Sequence, residues 1–78
     1  MDTNGELEQL HIECVRALRS YMMEANETCK LLTQIKNFPV SVNQRVAILE
    51  QRRTENLASD KYQEARRKLF KAANWERS

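Results

Sequence analysis

The chain has one proline in its interior, Pro39, and its single glycine, Gly5, lies near the start. Proline removes a backbone donor and keeps the residue before it out of the helical region, and glycine is the next most effective helix breaker. With no breaker from Glu6 to Phe38 and none after Pro39, the two halves are free to form long helices wherever their apolar residues recur at helical spacing. At 78 residues, one small domain is the most the chain can build.

In the first half the recurrence is clear. Leu7, Cys14, Leu18, Tyr21, Ala25, Cys29, Leu32 and Ile35 follow one another at three, four or seven residues, which sets them within one stripe at about 100° per residue. A helix is expected from residue 4 to residue 36, with Thr3 or Asn4 as its cap. Cys14 and Cys29 then stand 15 residues apart on one rod, or about 22 Å at 1.5 Å per residue, while a disulfide needs Cα atoms within about 7 Å. No mutual bridge is possible, and both thiols are expected to be reduced and buried as small hydrophobes. Unpaired thiols suit a reducing compartment, so the expected location is intracellular, cytoplasmic or nuclear.

After Asn37-Phe38-Pro39-Val40, the run Ser41-Val42-Asn43-Gln44 spells a capping box, and a second helix is expected from residue 42. A four-residue connection joins antiparallel neighbours. Val42, Val46 and Leu49 define one face, whereas Ala58, Tyr62, Ala65, Leu69 and Ala72 define another turned by about 160°. Between the two faces lies Glu50 to Asn56, seven polar residues in succession, followed by Ser59 and Asp60, both good caps. The expectation is therefore a break near residues 56–60, giving helices at 42–55 and 60–75, the last closed by Trp75. The fold class is all-α: a small antiparallel bundle of three helices with a long first one. The alternative is a long helical hairpin whose second helix is kinked. The segment Lys61 to Ala72 resembles one helix of a tetratricopeptide-type repeat over about a sixth of the chain. The Gly-Tyr pattern of the preceding repeat helix is missing, and no family follows from it.

Function is expected from faces rather than from motifs. There is no C-x-x-C, the lone His11 has no partner at metal-ligand spacing, and a carboxylate pair such as Glu6 and Glu8 points to different sides of its helix. A helical chain of this length offers no dry cleft for a nucleophile and its base, so neither enzyme chemistry nor a cofactor is expected. No stretch approaches the roughly 20 apolar residues of a membrane span.

The first helix carries more apolar residues than one stripe needs. Ile12, Val15, Met22 and Met23 lie toward its back, rimmed by Arg16 and Arg19. Either the third helix packs there, or these six residues form a groove for a partner protein or helical peptide, to which adjacent methionines adapt well. Small bundles without disulfides or metal often rely on a partner or on self-association, so a homo-oligomer is a further possibility. The chain is read as one interaction or assembly domain spanning 1–78, part of a larger protein.

Charge suggests an alternative. Residues 1–40 hold six acidic and four basic side chains, a net of −2, and the rest hold nine basic and five acidic, a net of +4. Lys61, Arg66, Arg67, Lys68 and Lys71 gather around Glu64, which is spaced to pair with Lys68. Such a basic surface could follow phosphates, making nucleic-acid binding the second hypothesis. The five aromatics of the chain are too scattered for a base-stacking platform, which weighs against it.

Overall fold

The computed structural model describes residues 3–73 and shows two antiparallel helices, α1 (Thr3–Thr33) and α2 (Val42–Ala73), packed side by side. Trp75, expected to close the last helix, lies outside the described residues. At about 1.5 Å per residue each helix is some 46–48 Å long, and the molecule measures 58 × 23 × 15 Å. The architecture is a helical hairpin, and no strand occurs among the described residues.

The connection begins where α1 loses its ladder. The Lys30 carbonyl accepts both the Gln34 N–H at 3.1 Å and the Thr33 hydroxyl at 2.9 Å, and the Ile35 N–H turns tighter onto the Leu32 carbonyl at 3.2 Å. These bonds satisfy the last turn's carbonyls, so α1 ends at Thr33 rather than at residue 36. The capping box at the start of α2 forms as its residues prescribe. The Gln44 N–H donates to Ser41 Oγ at 3.2 Å, the Ser41 N–H reaches Gln44 Oε1 at 3.4 Å, and the Arg45 N–H closes the first helical bond on the Ser41 carbonyl at 2.9 Å.

The expected third helix is absent, because α2 runs unbroken from Val42 to Ala73 through the polar stretch and the proposed break. The reason lies in which α2 residues meet α1. Ile48, Gln51, Glu55, Ala58, Tyr62, Ala65 and Leu69 are all buried or half-buried, and they alternate at three and four residues without a fault. Their counterparts on α1 are Leu7, Leu10, Cys14, Ala17, Tyr21, Glu24, Thr28 and Leu31, again at alternating three and four. A seven-residue repeat keeps one seam facing its neighbour along the whole length of a helix. Two of the seam positions inside the polar stretch are filled by Gln51 and Glu55, so the stretch belongs to the packing face and is no linker.

The seam is held by few fully enclosed groups. Only Ala58, 9% exposed, and Leu69, 6% exposed, are buried among the described residues. Mid-seam, the rings of Tyr21 and Tyr62 stack with centroids 6.3 Å apart and planes 9° from parallel. Such offset pairs contribute about 0.5–1.5 kcal/mol beyond their area. Nearer the connection, Gln51 Nε2 bonds both the backbone oxygen and Oε1 of Glu24 at 3.0 Å.

Two further expectations are corrected by this seam. Val42, Val46 and Leu49, read as a core face, point outward and are 72, 46 and 56% exposed. Cys29 is exposed and Cys14 only half-buried, although neither is bridged. Cys29 follows the seam residue Thr28 by one position, which swings it about 100° away.

Candidate functional site

The six residues expected to form a partner surface all lie on α1, within three turns of one another. Ile12 is 42% exposed, Met22 59% and Met23 70%, while Val15 is half-buried and Arg16 and Arg19 are exposed. With no third helix to cover it, the face is open. It divides into two shallow recesses, one lined by His11, Ile12, Val15, Arg16 and Arg19 and the next by Met22, Met23, Ala25 and Asn26.

Local helix geometry explains why the hairpin leaves this row uncovered. At about 100° per residue, Val15 and Met22 stand roughly a third of a turn from the seam defined by Cys14, Tyr21 and Thr28. α2 can reach only the seam side. The row continues toward the connection through Cys29, which is exposed, a continuation the six-residue reading did not include. Its signal was present in the sequence: Ile12, Val15, Met22 and Cys29 occupy a second heptad track parallel to the first.

Apart from Ile12, the exposed large hydrophobic side chains of the described residues all fall between Met22 and Leu57, the half of the hairpin nearest the connection. The outward residues Val42, Val46 and Leu49 of α2 belong to this half. Sequence reasoning had assigned them to a core, and so it missed them as surface.

The basic side chains Lys61, Arg66, Arg67, Lys68 and Lys71 occupy the opposite half and are all exposed. Two are engaged locally. The Arg66 guanidinium lies over the Phe70 ring, 5.2 Å from its centroid, and Arg67 pairs with Glu64 at 3.2 Å. The expected pair of Glu64 with Lys68 is replaced by this i,i+3 contact. Both spacings bring side chains together on a helix, and the forked guanidinium takes the carboxylate. Pairs this exposed contribute at most about 1 kcal/mol.

Among the described residues no three His, Cys, Asp or Glu side chains form a group that could hold a metal ion. None of the described helices is long and apolar enough to cross a membrane. Comparison with protein-family models, with curated proteins and with solved structures finds no match.

Proposed function

We propose that the chain is a non-enzymatic protein-interaction or assembly module that receives a helix or helical peptide along the outward row of α1. The observation that supports this reading is the exposure of Ile12, Met22 and Met23 beside a completed intramolecular seam. Burying such a side chain fully is worth about 1.5–3 kcal/mol, and an apolar row of this length, rimmed by Arg16 and Arg19, is how grooves accept amphipathic helices.

The test compares the intact chain with I12E/M23E. At high dilution, where any association is lost, both should show the same helix content, because neither position is enclosed by α2. Capture of a partner helix should weaken by at least about 1–2 kcal/mol, or roughly five- to thirty-fold. A loss of helix in the dilute variant would mean that the face belongs to the fold, and the reading would fall.

Nucleic-acid binding is favoured by one observation, the shared exposure of Lys61, Arg66, Arg67, Lys68 and Lys71. It has less support, since Arg66 and Arg67 are already occupied by Phe70 and Glu64. Affinity for an arbitrary duplex that falls steeply with salt would favour it over the protein partner.

A further inference from the structure

Beside the seam lies an open recess of about 370 Å³ that both helices build, with Tyr21 from α1 and Ser59, Tyr62, Arg66, Arg67 and Phe70 from α2. Ser59, Tyr62, Arg66 and Phe70 recur at three and four residues, which stacks them on one side of α2. The recess joins aromatic rings to guanidinium groups, and nothing in it depends on the outward row of α1.

Its cations are arranged for an anion. The Arg66 guanidinium lies over the Phe70 ring, 5.2 Å from the centroid. A cation held by a ring is fixed in place without spending its N–H donors. Arg67 Nη1 meets Glu64 Oε2 in one contact of 3.2 Å, with both side chains more than half exposed, so a stronger anion displaces the carboxylate at little cost. Ser59 Oγ accepts Gln63 Nε2 at 3.2 Å, which leaves the serine O–H as a further donor. Following a duplex takes a long row of free cations, whereas a single anion needs only two that converge.

The walls and Glu64 select which anion. A carboxylate ligand would compete with Glu64 as an equal, while a phosphate monoester carries roughly −1.5 to −2 charges near neutral pH and offers three acceptor oxygens. Tyr21 and Tyr62 stack with planes 9° from parallel, and with Phe70 they give the recess an aromatic wall suited to a second planar group. The volume is at the lower end of the range of about 300–1,000 Å³ for small-ligand sites, enough for one ring and its phosphate.

From the two guanidinium groups, the serine donor and the aromatic wall we infer that the recess binds an aryl phosphate, with Arg66 and Arg67 on the phosphoryl oxygens and the ring against Tyr62 and Phe70. The aryl phosphate can arrive free or as a phosphorylated tyrosine side chain of another protein.

Phenyl phosphate titrated into the intact chain, with backbone amide shifts followed by NMR, tests the inference. Inorganic phosphate and a short phosphotyrosine peptide are run beside it. Phenyl phosphate should saturate the shifts of Tyr21 and of residues 59–70, and its affinity should fall at least about tenfold in R66Q and in R67Q. K71Q removes the same charge outside the recess and should change affinity by less than about twofold. Each substitution replaces an exposed side chain, so circular dichroism should show unchanged helix; should R66Q lose helix, R67Q alone decides. Equal losses in all three variants would mean diffuse attraction and overturn the inference, as would inorganic phosphate binding as tightly as phenyl phosphate. Shifts that rise without saturation to about 20 mM would also overturn it. A phosphotyrosine peptide that binds more tightly than phenyl phosphate assigns the ligand to a partner protein, and one that binds no more tightly assigns it to a free aryl phosphate.

Discussion

Gln51 Nε2 bridges from α2 to the backbone oxygen and the Oε1 of Glu24, each at 3.0 Å, and the same backbone oxygen also accepts the Thr28 hydroxyl at 3.1 Å. Both Glu24 and Gln51 stand at seam positions, where an apolar pair would pack with less demand on geometry. Polar groups on a seam fix which turns face each other, because any slip leaves them half-buried without partners. Q51A should therefore cost about 1–2 kcal/mol by chemical denaturation, while Q51L should lie within about 1 kcal/mol of the parent. Equal and negligible losses in both variants would show that the bridge does not set the register.

Leu69 and Leu57 give a matched contrast on one helix. Leu69 is 6% exposed at the seam, and Leu57 is 58% exposed on the outside. Truncating a buried leucine removes transfer energy and leaves a cavity, so L69A is expected to cost about 2–4 kcal/mol and L57A under about 0.5 kcal/mol. Thermal unfolding of the two variants at one concentration measures the difference.

The capping box predicts a coupled pair. Ser41 and Gln44 satisfy each other's backbone donors, so S41A should destabilise by about 0.5–2 kcal/mol, with Q44A adding less in the double variant than alone. Strict additivity in a double-mutant cycle would mean that the reciprocal bonds carry no stability.

Thiol reactivity should follow position relative to the seam. In the dilute native chain a bulky maleimide should modify Cys29, which is exposed, faster than Cys14, which is half-buried. The rates are read by mass spectrometry after short exposure.

The connection and both flanking helices were legible because each depends on local chemistry. Ser41 with Gln44 starts α2 at the expected residue, whereas α1 ends at Thr33, six residues ahead of Pro39 and three short of the expected end. The continuity of α2 was not legible from apolar residues alone. Gln51 and Glu55 occupy seam positions as polar side chains, and the outward residues Val42, Val46 and Leu49 imitate a core face of the wrong phase. The signal that overrides them is the unbroken three-four alternation from Ile48 to Leu69, seen only when polar residues are admitted to it. Cys29 was misplaced for a related reason: counting by sevens and fours from Leu18 through Ala25 drifts off the seam by one heptad position. The outward placement of Ile12, Val15, Arg16, Arg19, Met22 and Met23 was legible because their excess over one stripe is visible in sequence. The extension to Cys29 required knowing where the seam runs.

The rod shape of the hairpin has a hydrodynamic consequence. Its radius of gyration of 17.4 Å is that of a compact chain of about 230 residues. A single copy passing through a gel-filtration column would therefore elute well ahead of its mass, where a globular trimer of such chains is expected.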